Sequence, residues 1–392
     1  MFTASDLLSP RLTRARRAAA PIHSFVESPL AGRANDPRAA NFLFGNPHEL
    51  PLPGIVEAMG RAVVPRHKDW FAYQVFQRPA QEAIAAGLRD RYGLPFGPDD
   101  VLLTTGAFAG LATLLTTLAG PGDEVIYVSP PWFFYEAMIE STSASAVAIK
   151  LAPPAFDLDV DAIARAITPR TRAVIINSAH NPTGRVYDAA TLGRLAAVLT
   201  DAGRSHGRPI ALLSDEAYSR IVFDDRRFET ATAFYPFSFL VYTYGKVLLT
   251  PGQRVGYIAL APAMPGREAM RSALITALMV QGWVFPNAVM QYSLPELERL
   301  SIDVGRLQVR RDRLVAELRR MGYEVALPES TFYLLPRSPL ADDQAFCDRL
   351  AKHDVLCMPG AVFDLPGFFR ISITANDEMV ERALPGFAAA LT

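Results

Sequence analysis

The stretch DDVLLTTGAFAGLATLLTTLAGPGDEVIYVSPPW, residues 99–132, contains the repeating unit from which the fold can be read. A short apolar run, 101–104, leads into a turn at Gly106, after which Leu111, Leu114, Leu115 and Leu118 recur at helical spacing. Gly120, Pro121 and Gly122 stop that helix, and EVIYVS, 124–129, reads as a buried strand. The same alternation returns in RAVIINSAHNPTG (172–184), in a helix over 189–203 and in RPIALLSDEAY (208–218). Strands alternating with helices predict an α/β fold, a mostly parallel sheet flanked by helices. Ligands of such sheets gather beyond the carboxyl ends of the strands. The polar groups just after the apolar runs are therefore the ones to weigh: Gly106, Asn181, Asp215 and Lys246.

After residue 285 the pattern changes. A long charged helix is expected over 296–322, followed by short strands around 330–336 and 368–374, which reads as a smaller α+β unit. A chain of 392 residues exceeds what one core usually serves, so two domains are expected. Net charge is −1 with both signs interspersed, which gives no reason to expect a nucleic acid or an anionic membrane as partner. No apolar run approaches the ~20 residues that span a bilayer, and the Arg-rich start lacks the apolar core of a secretory signal. Cys347 and Cys357 have no metal-ligand spacing; a reduced thiol pair in a cytoplasmic protein is expected, and no metal site.

Four lysines stand against 35 arginines, and Lys246 lies between two apolar runs in VYTYGKVLLTPGQRVGYIAL (241–260). An amine can form an imine with a carbonyl, which a guanidinium cannot. Gly106 opens a helix whose free N–H groups favour an anion such as phosphate, although such turns are also common before buried helices. Asp215 is either a helix N-cap or a carboxylate facing a buried cation, with Tyr218 three residues on. Asn181, in SAHNPTG, is either part of a plain turn or a ligand group. Arg370, in the apolar FFRISIT, needs an anion, in an ion pair or as a ligand carboxylate.

NPTG, DEAY, YGK with PGQRVGY, and FRIS, in this order, resemble the fold-type I pyridoxal-phosphate aminotransferases of class I/II. The resemblance extends to RLTRARRAAAPIHSF (11–25), FLFGNPHELPLPGIVEAM (42–59) and PGDEVIYVSPPWFFY (121–135). It implies an N-terminal arm and part of the small domain in 1–45, a large cofactor domain in 46–285, and a small α+β domain completed by 286–392. It implies pyridoxal 5′-phosphate as cofactor and a ping-pong transfer of an amino group between an L-amino acid and a 2-oxo acid. Lys246 is then the imine-forming lysine and proton carrier, and Asp215 the partner of the pyridine nitrogen. Tyr218 and Asn181 bond the ring's 3′-oxygen, and Trp132 stacks on the ring. Arg254, Thr243 and the backbone of Gly106, Ala107 and Phe108 hold the phosphate. Arg370 takes the substrate α-carboxylate, with Asn181 and the Gly45 backbone alongside. A homodimer with shared active sites is implied, with Tyr73 facing the partner's phosphate.

Two departures accompany the resemblance. Gly245 stands where many members have a second serine before the lysine. In WFAYQVFQRPAQEAIAAGLRDRYG (70–93) the glycine turn of the family is missing, so either Tyr73 or Phe71 falls at the position facing the partner subunit. Elimination, decarboxylation or oxidation on the same cofactor is the alternative activity; a non-enzymatic regulator is remote, since no helix-turn-helix pattern precedes residue 42. Trp70, Phe71, Tyr73, Phe133 and Trp283 hint at an apolar or aromatic substrate side chain.

Overall fold

A computed structural model describes residues 3–392. Seven strands form the central sheet, in the spatial order Val101–Thr104, Gly256–Leu260, Ser238–Thr243, Ala211–Asp215, Thr171–Asn177, Glu124–Ser129 and Ser145–Lys150. Six run in one direction; Gly256–Leu260 is antiparallel to both neighbours. Successive strand residues point to opposite faces, and the core divides accordingly. Leu102, Val125, Ile175, Leu213, Val241 and Ile258 pack against helix Ala107–Leu118. Ile126, Val174, Ile176 and Leu212 join helix Ala189–His206. Leu103, Leu240 and Ala259 meet helices Arg78–Tyr92 and Ala288–Leu297.

A smaller unit is built from both ends of the chain. Strand Ala40–Asn41 pairs in parallel with Val355–Leu356, and Ala40 N donates to Asp354 O at 2.8 Å. Strands Met358–Pro359, Phe369–Ser372 and Tyr333–Leu334 form an antiparallel sheet beside it. Helices Val304–Met321, Asp343–Ala351 and Asp377–Ala389 cover this unit. Helix Pro10–Ala18 of the N-terminal segment lies against helix Tyr135–Ser141, with Arg14 Nε 3.0 Å from Glu140 Oε2.

The single helix expected over 296–322 is instead two. The first, Ala288–Leu297, ends soon after Pro295; the second, Val304–Met321, starts afresh at Asp303. Asp303 Oδ1 accepts Arg306 N at 2.9 Å as the new N-cap, while Ile302 N donates to Val247 O at 2.9 Å and so leaves any helical ladder. Charge periodicity across the break does not report that local competition. The first helix buries Met290, Leu294 and Leu297 in the large unit's core, worth ~1.5–3 kcal/mol each. We therefore propose that the domain boundary lies near residue 300, rather than at 285 as expected.

Candidate functional site

A cavity of about 310 Å³ opens where the carboxyl ends of the strands meet the small unit. Asp215 is the last residue of its strand, Asn177 ends the neighbouring one, and Thr243 ends the next. Lys246 lies in a one-turn helix, Tyr244–Val247, directly after Thr243, whose Oγ1 accepts Gly245 N at 3.4 Å. A Cβ at position 245 would stand 2.9 Å from Pro251 Cα, so no second hydroxyl fits there. That close approach accounts for the first departure from the family pattern.

The reversed strand explains how Arg254 joins the site. Because Gly256–Leu260 runs against its neighbours, its beginning lies beside their ends, and Arg254 comes two residues before it. Arg254 has a left-handed φ of 40°, which costs about 1–2 kcal/mol for a side-chain-bearing residue. Its guanidinium donates to Pro251 O at 2.8 Å and to Thr105 O at 3.1 Å, bringing it against the turn at Gly106. Gly106 has φ 88°, and a Cβ there would lie 2.5 Å from Arg254 Nη2. Beyond it the first-turn N–H groups of helix Ala107–Leu118 have no intrahelical acceptors. A guanidinium beside a helix N-terminus suits a phosphate.

Asp215 is buried, and burial pushes its carboxyl above the usual range, although Tyr135 O–H, donating to Oδ2 at 2.6 Å, and Ala217 N–H, donating to Oδ1 at 3.2 Å, favour the ionised form. It is not a helix N-cap, since a turn and no helix follows it. A buried carboxylate lining a cavity is matched by a cationic ring nitrogen. Lys246 Nζ stands 5.4 Å from the centre of the Tyr218 ring, and Tyr218 O–H donates to the Tyr333 hydroxyl at 3.3 Å. Burial raises Tyr218, with the neighbouring Tyr333 adding to the rise. Burial also works to raise Tyr333, but Arg370 and Lys246 hold it below the ordinary tyrosine value.

Arg370 comes from the small unit's strand Phe369–Ser372 and is only 2% exposed. Its Nη1 donates to Asn181 Oδ1 at 3.3 Å and its Nη2 to Leu43 O at 3.0 Å, while the buried Nε has no partner among the described residues. The Tyr333 ring lies 4.2 Å from the guanidinium carbon. A buried guanidinium with unused donors is matched by a carboxylate. Asn181 is itself fixed by its N–H, which donates to Asn177 Oδ1 at 2.7 Å.

The residues expected to form the site thus largely meet: Lys246, Asp215, Tyr218, Thr243, Arg254, Asn181, Arg370, Gly45, Ala107, Phe108 and Trp132 line one cavity, with Gly106 against Arg254. Tyr73 does not; it lies at the surface, 88% exposed, 5.1 Å from the Phe285 ring. Of the aromatics expected around the substrate, Phe133 alone lines this cavity in the described chain. Trp70 is buried elsewhere, stacked at 3.6 Å on Tyr292 with its Nε1 donating to Ala62 O. Phe71 is exposed, and Trp283 lies outside the lining. Hydrophobicity near a motif does not say which element carries a ring where. Asn177, Tyr135, Tyr333 and Phe44 were not singled out in the sequence. Asn177 closes an apolar run as Asp215 does and could have been found; Tyr135 and Tyr333 carry no local signal.

Residues 39–387 match the family described as aminotransferase class I and II. An aspartate/prephenate aminotransferase of Thermus thermophilus is 28% identical over 354 residues, 88% of this chain and 89% of that protein. A probable N-succinyldiaminopimelate aminotransferase of Mycobacterium tuberculosis is 33% identical over 310 residues, 76% of each. Among solved structures, the aspartate aminotransferase of Thermotoga maritima superposes with a TM-score of 0.83 at 25% identity, covering 97% of this chain and 99% of that one.

Proposed function

This chain belongs to the aminotransferase class I and II family, and from that premise we propose how its residues divide the work. It is a pyridoxal-phosphate-dependent transaminase that exchanges an amino group between an amino acid and a 2-oxo acid. When bound, the cofactor supplies an aldehyde for the substrate amine and a cationic ring that draws electrons from Cα. Lys246 Nζ would hold the cofactor between turnovers and, as a free amine, would carry the proton at Cα. Asp215 keeps the ring nitrogen protonated. Tyr135 O–H and Ala217 N–H orient that carboxylate. Arg254, Thr243 and the amides from Gly106 to Phe108 anchor the phosphate, and Trp132 covers the ring. Tyr218 and Asn181 bond the ring hydroxyl. Arg370 takes the α-carboxylate beside Gly45 and fixes which Cα bond faces Lys246.

One observation carries this division: an amine, a buried carboxylate and two guanidiniums, Lys246, Asp215, Arg254 and Arg370, converge on a single cavity from three separate stretches of the chain. The test is a pair of measurements. The purified protein should form a 2-oxo acid from an amino acid only when a second 2-oxo acid is present, and ammonia release without one would indicate elimination or oxidation. Borohydride should fix cofactor to wild type and none to Lys246→Ala; fixation surviving at Lys68, Lys150 or Lys352 would remove Lys246 from its role.

We propose further that the enzyme is a homodimer, with Tyr73 reaching the partner's phosphate. Tyr73, Phe71, Val280 and Phe285 are exposed by 42% or more, which large apolar side chains tolerate poorly without a covering surface. A reducing, cytoplasmic setting accords with the two free, buried cysteines, Cys347 and Cys357. The relatives' names suggest an acidic amino donor such as aspartate, but Arg370 provides for only one substrate carboxylate.

A further inference from the structure

Tyr333 lines the catalytic cavity, yet the division of roles above, on which this inference rests, gives it no task. It belongs to the small unit's strand Tyr333–Leu334 and pairs with Ser372, two residues beyond Arg370 on the neighbouring strand. Residues two apart on a strand share a face, so Tyr333 and Arg370 are diagonal neighbours within reach of each other. The guanidinium carbon accordingly lies 4.2 Å from the centre of the Tyr333 ring, a cation seated on a π-face. The far end of the same side chain reaches the large unit, where the hydroxyls of Tyr333 and Tyr218 are 3.3 Å apart. Gly45 leaves room for it, since a Cβ there would stand 2.8 Å from the Tyr333 hydroxyl. Tyr218, Tyr333 and Arg370 are each exposed by 3% or less, so these contacts are made wholly within one chain.

A phenol has one proton to give. Tyr218 gives its proton to Tyr333 in the described chain. When Tyr218 gives it to the cofactor's ring oxygen instead, its own oxygen is free to accept, and Tyr333 O–H is the donor at hand. Arg370, Lys246 and Asp215 are the charges acting on the two hydroxyls. Burial works to raise both, but Arg370 and Lys246 hold Tyr333 below the ordinary tyrosine value while Tyr218 is pushed above it, which makes Tyr333 the better donor of the pair. We infer that Tyr333 is a positioning residue that joins the two halves of the site. Its ring holds the Arg370 guanidinium in the plane that receives the substrate carboxylate, and its hydroxyl donates to Tyr218 and strengthens the bond from Tyr218 to the ring oxygen.

Two variants separate the two ends of the side chain: Tyr333→Phe keeps the ring and loses the hydroxyl, and Tyr333→Leu loses both. Two properties of the holoenzyme are read, the pH at which its visible absorbance changes without substrate, and kcat/KM for the amino acid that wild type converts fastest. A donor to the ring oxygen stabilises negative charge there and eases proton loss from the bound cofactor. Both variants should therefore show the absorbance change at higher pH, by roughly half a unit to one unit. A merely structural role would lower Tm without moving that pH. Tyr333→Leu should lose roughly tenfold more kcat/KM than Tyr333→Phe, because it alone removes the π-face under the guanidinium. Should Tyr333→Leu not fold, Tyr333→Met takes its place. An absorbance change at the wild-type pH in Tyr333→Phe overturns the link through Tyr218, and equal kcat/KM in the two variants overturns the hold on Arg370. Either result leaves transamination intact. Wild type without any pH-dependent visible absorbance, after loading with pyridoxal 5′-phosphate, overturns the cofactor assignment of the site, and the inference with it.

Discussion

Asp215 and Glu216 are neighbours in the chain, both acidic and both buried, yet they occupy different chemical settings. Asp215 lines the cavity, with the charge of Lys246 acting on it and Tyr135 O–H bound to one oxygen. Glu216 is fully buried outside the catalytic cavity and among the described residues accepts from neutral side-chain donors, Ser214 at 2.9 Å, Thr230 at 2.8 Å and Tyr92 at 3.3 Å. Burial pushes both carboxyls up, and with no cation nearby it takes Glu216 to about 8. A one-residue step along an extended chain turns the side chain to the other face. One acid is thereby left open to a ligand cation, and the other is sealed as a neutral hydrogen-bonding group.

Asp215→Asn should break the comparison most sharply. The variant should still bind cofactor, but kcat should fall by more than roughly 1,000-fold, because a neutral amide cannot hold the ring nitrogen protonated. Half-reaction rates near wild type would take Asp215 out of that role. Glu216→Gln, one position on, should leave kcat nearly unchanged; a loss comparable to that of Asp215→Asn would erase the distinction between the two faces.

Arg370→Lys extends the test to the other end of the cavity. Two charge-assisted bonds at ~1.5–3 kcal/mol each are at stake, and a point charge cannot reproduce the fork. The loss, roughly 100- to 1,000-fold in kcat/KM, should fall on all amino-acid substrates alike and leave the visible spectrum unchanged. A simple amine without the carboxylate should react poorly with wild type and be little affected by the substitution.

The smallest effect concerns stability. Glu216 has a folded value of about 8 against an ordinary 4.5, so the folded protein binds more protons between those limits. Stability contributed by the protonated form is therefore full below about pH 4.5 and declines as pH rises toward 8, flattening above that. Denaturation curves of wild type should show this slope, of a few kcal/mol across the window, and Glu216→Gln should flatten it. An equal slope in the variant would mean that Glu216 is ionised in the fold and has a counter-charge.

The sequence by itself determined the residue types that do chemistry and the strand ends that carry them. Asp215 follows the apolar run IALLS and Lys246 follows FLVYT, because a buried strand must be apolar along its length and can present polar groups only where it leaves the sheet. The glycine turn before helix Ala107–Leu118 and the isolated amine among arginines were equally local signals. Tertiary structure alone decided which partners these groups meet. Tyr135 reaches Asp215 across 80 positions of sequence, and Arg370 reaches Asn181 across 189. Trp70, Tyr73 and Phe133 look alike as aromatic neighbours of motifs, but the fold buries one against Tyr292, exposes another and gives only the third to the cavity. The break after Leu297 was likewise set by a hydrogen bond from Ile302 to Val247, 55 positions earlier. Strand and helix periods are set by each residue's immediate neighbours and survive in the sequence, whereas convergence depends on crossovers that bring distant segments together, and nothing in the local pattern encodes where they will land.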